Sequence, residues 1–81
     1  VAVDGKLIVM GGESMNQVES HSAVEVYDPT TQTWLTLAPL PVGRHGTQAT
    51  LLNGKLHLVA GSGNRSGGPE LNDHLVMSFA E

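Results

Sequence analysis

Apolar and polar positions along this chain fall into two copies of one pattern. Val3-Asp4-Gly5-Lys6-Leu7-Ile8-Val9-Met10-Gly11-Gly12 returns 49 residues later as Leu52-Asn53-Gly54-Lys55-Leu56-His57-Leu58-Val59-Ala60-Gly61. Each copy sets a two-residue polar turn between apolar runs. Both central positions of a type I′ turn need φ > 0, which Asp-Gly and Asn-Gly adopt at least cost, so each copy predicts a tight β-hairpin. The first joins Val1–Val3 to Lys6–Met10, and the second joins about Thr47–Leu52 to Lys55–Ala60. Leu7-Ile8-Val9-Met10 and Leu56-His57-Leu58-Val59 are apolar with little alternation, the pattern of an inner strand covered on both faces.

A Gly-rich break follows each hairpin, Gly11-Gly12 in the first copy and Gly61-Ser62-Gly63 through Gly67-Gly68-Pro69 in the second. Ala23-Val24-Glu25-Val26-Tyr27 then alternates and stops at Asp28-Pro29-Thr30-Thr31, a turn with Pro at its second position. Thr33-Trp34-Leu35-Thr36-Leu37 predicts another short strand, ended by Pro39 and Pro41. No stretch carries a helical period. In an antiparallel meander the chain reverses at each turn, so alternate connections emerge together. The two hairpin turns and Asp28–Gln32 share one edge, whereas Glu13–Ser20, Arg44-His45 and Ser62–Asn72 share the other. The second set is longer, polar and Gly-rich, and loops of that kind on a rigid scaffold are where binding groups usually sit.

Gly11-Gly12, the Tyr27-Asp28-Pro29 segment, Trp34 at its spacing and the recurring Asn/Asp-Gly-Lys-Leu hairpin resemble the kelch motif. The resemblance implies an all-β fold: four-stranded antiparallel kelch blades, here a fragment of a β-propeller. Residues 1–43 form one blade with its first inner strand truncated, and residues 44–81 form a second blade lacking its outer strand. Gly11, Gly12, Tyr27 and Trp34 are then structural, the two rings filling the wedge between neighbouring blades. The second copy departs from the motif, with Ala60-Gly61 in place of the doublet and Met77 near the Tyr position. The implied partners are the remaining blades of a parent propeller or other copies of the chain. Were Glu81 the natural carboxyl end, a second blade ending at its third strand would fit a ring that closes with a strand from the amino end of the parent.

Composition narrows the function classes. An 81-residue chain without cysteine buries only about 60–65% of its unfolded surface, so its stability must come from elsewhere. Beginning at Val1 in mid-strand pattern, it reads as a piece of a larger protein. Four basic side chains against eight acidic ones, a net charge of −4 and three aromatic residues leave no basic stripe or stacking platform for nucleic acid. No apolar run nears the roughly 18 residues of a membrane span. No cofactor signature is present: the glycine run at 61–68 lacks the Gly-Lys-Ser/Thr ending of a phosphate loop and precedes a strand. Ser14 and Ser22 show no nucleophile-elbow motif. Asn64-Arg65-Ser66 is an N-x-S acceptor, which decides nothing without evidence of secretion.

Arg44 precedes an inner strand and presents a planar fork suited to carboxylates. The kelch resemblance implies a role in reading acidic peptide segments; the competing reading is that Arg44 braces the Pro39-Pro41 loop or pairs with an acidic neighbour such as Glu13. His45, Glu13, Asn16, Asn64 and Arg65 complete the ligand-binding candidates on the long-loop edge, a polar set of the kind a peptide or glycan site uses. His21, His57 and His74 lie at spacings that form no ligand pair along one strand, and no metal site is expected. The leading reading is a non-catalytic scaffold that binds protein or glycan through the long-loop face. The alternatives are part of a carbohydrate-active kelch enzyme and purely structural blades that complete a ring. Among such enzymes, the galactose-oxidase-like copper family needs a cysteine that this segment lacks, while a sialic-acid epimerase-like activity would draw its catalytic base from elsewhere in the parent.

Overall fold

The computed structural model describes residues 1–78; residues 79–81, the end of the second expected unit, lie outside the described part. Among the described residues, seven strands form two antiparallel sheets. β1 (Ala2–Val3), β2 (Lys6–Met10), β3 (Val24–Asp28) and β4 (Thr33–Leu37) make the first, in that order, and β5 (Thr50–Leu52), β6 (Lys55–Val59) and β7 (His74–Ser78) make the second. No helix occurs among the described residues. The polar turns are the reason for the hairpins. Asp4 and Gly5 have φ of 50° and 78°, Asn53 and Gly54 51° and 76°, the left-handed pair a type I′ turn demands. The Asp28 carboxylate accepts the Thr30 amide at 2.9 Å and closes the β3–β4 turn.

Strand ends differ from the sequence pattern in four places, the first being β1, which begins at Ala2 rather than Val1. β5 begins at Thr50, because Thr47 Oγ donates to the Val59 carbonyl at 2.8 Å and takes the place of a ladder bond. β6 stops at Val59, since Ala60 has turned to φ 59°. β3 runs one residue later than the alternation suggests and ends at Asp28.

Register decides which side of each strand is buried. Ile8 lies opposite Val26, and Met10 opposite Val24, so these four share a face with Val3. That face packs on Leu56 and Leu58 of the second sheet, with Leu40 joining from the connecting segment and Leu75 and Met77 at the margin. Ile8 and Leu58 are each only 2% exposed. The opposite face of β2 is uncovered: Leu7 and Val9 remain half-exposed, so the inner strand of the first sheet is covered on one face within this chain rather than on both. Tyr27 and Trp34 face each other across β3 and β4, ring centroids 4.9 Å apart. They occupy that open face and so do not fill the wedge between these two sheets. Leu35 shares the buried face by register but is 63% exposed, because no fourth strand of the second sheet lies over β4 among the described residues.

The second sheet also has an open face, carrying Leu52, Val59 and Val76. The repeat relates the two. Leu56 and Leu58, buried here, are the counterparts of the exposed Leu7 and Val9; Ile8, buried, and Met10, partly buried, are the counterparts of His57 and Val59 on the second open face. The chain thus contains one sheet-to-sheet interface, uncovered over β4, and displays one half of the same interface at either end. That is the geometry of an array that grows by stacking neighbours, as expected for blades of a propeller.

Candidate functional site

The long loops 11–23, 38–49 and 60–73 meet at one edge of the two sheets and are joined by main-chain bonds. The Ser20 amide donates to the Gly63 carbonyl at 2.9 Å and the Arg65 amide to Val18 at 2.7 Å. His45 and Ser62 exchange amide-to-carbonyl bonds of 3.0 and 2.9 Å. Gly12 donates to the Arg44 carbonyl at 2.8 Å, and His21 to Gly12 at 2.8 Å. Ser20, 4% exposed, adds its hydroxyl to the Ser62 carbonyl at 3.0 Å. Loops from different sheets therefore share one hydrogen-bonded frame, which satisfies polar backbone that would otherwise be costly to bury.

Arg44 is the centre of that frame. Its side chain is 1% exposed; Nη1 and Nη2 form a bidentate pair with the Asp73 carboxylate, the second at 2.9 Å, while Nη1 also donates to the Ala60 carbonyl at 3.1 Å and Nε to Val42 at 3.2 Å. The acidic partner is Asp73, not Glu13. A ligand would have to displace Asp73 to reach this guanidinium. Asp73 carries a chemical consequence of the pairing: the hydrogen bonds from Arg44, with its positive charge, hold the carboxyl below the usual carboxylate range, against a smaller opposing effect of burial. A native pKa below the unfolded value of about 3.9 contributes stability above that pH, and the contribution is lost as pH falls through the native value. The unfolding free energy of the chain should therefore fall more steeply below about pH 4 than that of Asp73→Asn, as checked by urea titrations at stepped pH; parallel curves would contradict the pairing.

The remaining polar candidates cluster beside it. One carboxylate oxygen of Glu13 accepts the Ser66 amide at 2.7 Å, and the other lies 3.2 Å from His45 Nδ1. His45 Nε2 lies 2.8 Å from the Asn64 carbonyl, and Arg65 Nη1 donates to the Met15 carbonyl at 3.0 Å. The structure thus brings Glu13, His45, Asn64 and Arg65 together across loops of both sheets, with the exposed Asn16 on the same loop as Glu13. A cleft of about 280 Å³ adjoins His45, and its walls combine Val1, Ile8, Met10 and Leu58 with Thr47 and Gln48. Sequence spacing missed two pairings. Arg44–Asp73 is one; the other is His57–His74, where β-sheet register brings Nδ1 and Nε2 within 2.8 Å.

Comparison with known proteins follows this geometry. The Kelch motif matches residues 1–41, just over half of the chain. An F-box/kelch-repeat protein of Arabidopsis thaliana is 42% identical over 62 residues, 76% of this chain and 16% of that protein. The influenza virus NS1A-binding protein homolog of Mus musculus is 42% identical over 64 residues, 79% of this chain and 10% of its own length. An N-acetylneuraminate epimerase of Yersinia enterocolitica is 43% identical over 72 residues, 82% of this chain and 18% of that enzyme. The chain spans less than a fifth of each of these relatives. With its paired Asn/Asp-Gly hairpins, its Gly11-Gly12 break and its stacked four- and three-stranded antiparallel sheets, the chain belongs to the kelch-repeat family.

Proposed function

We propose that this segment is a non-catalytic recognition surface of a kelch propeller, binding a carboxylate-bearing protein segment along its long-loop rim. The observation that carries the reading is the cross-bonded frame, which holds Arg65, His45 and the Asn64 main chain in fixed relation on loops from two blades. Pre-ordered loops lose little entropy on binding. Arg65 is the cation best placed for the role, because Arg44 is spent on Asp73, whereas Arg65 uses one donor on Met15 and its others have no partner among the described residues. The family setting supports the reading, since kelch relatives include a protein whose name records binding of another protein.

Selection of a display library of linear peptides against the chain, followed by affinity measurement, tests this. Peptides rich in Asp and Glu should emerge, and Arg65→Ala should weaken them by about 1.5–3 kcal/mol, the scale of a charge-assisted hydrogen bond. Selected peptides indifferent to Arg65→Ala, or none at all, would overturn it. The similarity to the epimerase favours a second reading, a share in a carbohydrate-active ring. Epimerisation of N-acetylneuraminate by a longer protein containing this segment, followed by proton NMR, would establish that reading instead.

A further inference from the structure

We infer that Glu13 is an internal stand-in for an acidic ligand, seated on the long-loop rim and displaced when an external carboxylate binds; the inference rests on the proposed recognition of a carboxylate-bearing segment there. The Glu13 side chain crosses from the loop 11–23 of the first sheet to the segments that flank the second. One of its oxygens accepts the Ser66 amide at 2.7 Å, and the other lies 3.2 Å from His45 Nδ1. Two nitrogens from different segments thus converge on a single carboxylate, the geometry by which a protein holds a carboxylate from outside. The Asn64 carbonyl can only accept, so His45 Nε2 donates to it, and Nδ1 donates to the carboxylate when the ring carries both protons.

The seat is held by bonds in which Glu13 takes no part. His45 and Ser62 exchange main-chain bonds, the Gly63 amide donates to the Pro69 carbonyl at 2.9 Å, and the Arg65 amide donates to Val18. Departure of Glu13 therefore leaves the Ser66 amide and the His45 ring in place. The Glu13 side chain is 44% exposed while that of His45 is 15% exposed, so the carboxylate faces water above a covered imidazole. Ser66 sits at φ 68°, a conformation serine adopts uncommonly, and in it the amide is aimed at the carboxylate. The charged groups of the surrounding segments sort by their bonds. Arg44, beside His45 in the chain, is turned to Asp73, whereas Arg65, the residue before Ser66, gives one donor to Met15. A segment with two closely spaced acidic residues fits this arrangement: one carboxylate takes the remaining donors of Arg65, and the other replaces Glu13 on Ser66 and His45.

Titration of the 81-residue chain with sodium acetate, followed by NMR of its amides and imidazoles at constant ionic strength, tests the seat. A pH of about 5.5 suits it, because an ordinary imidazole then carries both protons. In Glu13→Ala, acetate should shift the Ser66 amide and the His45 ring saturably toward their wild-type positions, with an affinity about tenfold or more above that of the wild type. Acetamide, which carries no charge, should not. Glu13→Gln keeps the side-chain length and a carbonyl acceptor, so it holds the loops and should take acetate with intermediate affinity. Adding Arg65→Ala to Glu13→Ala should leave the acetate response in place, which separates this seat from the Arg65 rim: peptides indifferent to Arg65 would remove the rim reading, and a missing acetate response would remove the stand-in. Equal acetate affinity in the wild type and Glu13→Ala, or shifts that miss Ser66 and His45, would overturn the inference.

Discussion

Arg44→Ala should destabilise the chain by about 2–4 kcal/mol, as read from the midpoint of a urea titration. The removed side chain is 1% exposed, and its loss strips donors from the carbonyls of Ala60 and Val42 as well as from Asp73. Asp73 is 41% exposed, so water takes over its solvation and the pair does not count as fully buried. The part-buried carbonyls of Ala60 and Val42 and the vacated stem volume gain less from solvent. Arg44→Lys should recover only part of the loss, because an ammonium cannot span both carboxylate oxygens and the Ala60 carbonyl in one plane. A wild-type midpoint in Arg44→Ala would show that the frame does not depend on this residue. The guanidinium would then be free to serve a ligand.

Gly11→Ala should cost about 3–5 kcal/mol, and Gly12→Ala about 1–3 kcal/mol, measured in the same way. The motif doublet holds two glycines for different reasons. Gly11 has φ 74°, and a Cβ there would run into the Arg44 carbonyl, which is fixed by its bond from Gly12. Gly12 has φ 108° but meets nothing within 4 Å, so its substitution carries backbone strain alone. The second copy supplies the internal control: Ala60, the counterpart of Gly11, sits at φ 59°. An alanine can thus hold that backbone conformation, and the additional cost at Gly11 is the collision. Equal losses for the two variants would contradict this division.

What the sequence made legible was what depends on near neighbours. Asp4-Gly5 and Asn53-Gly54 determine their turns within two residues, and strand parity then sorts the long loops onto one edge without any knowledge of packing. Pairings between distant residues were another matter. Arg44 and Asp73 are 29 residues apart, and by register the first copy has Ala23 where Asp73 stands, so the repeat offers no hint of the partner. His57 and His74 meet only because the loop 60–73 sets which residue of β7 lies across from Val59. The kelch resemblance implied a blade-packing role for Tyr27 and Trp34, but not that they belong to the face turned away from the second sheet. Whether β2 is covered on both sides depends equally on what stacks beyond it, which a local apolar run does not encode.

The central claim is that the long loops of two blades form one rigid frame, and amide hydrogen exchange tests it most directly. The amides of Gly12, Ser20, His45, Ser62 and Arg65 all donate between loop segments. Protection within about tenfold of the amides of the central strands β2 and β6 is the expected result, since groups that open together report one free energy. Exchange of these loop amides at the rate of unstructured peptide, with β2 and β6 still protected, would mean that the rim is not a preformed surface and that the frame around Arg44 does not hold it.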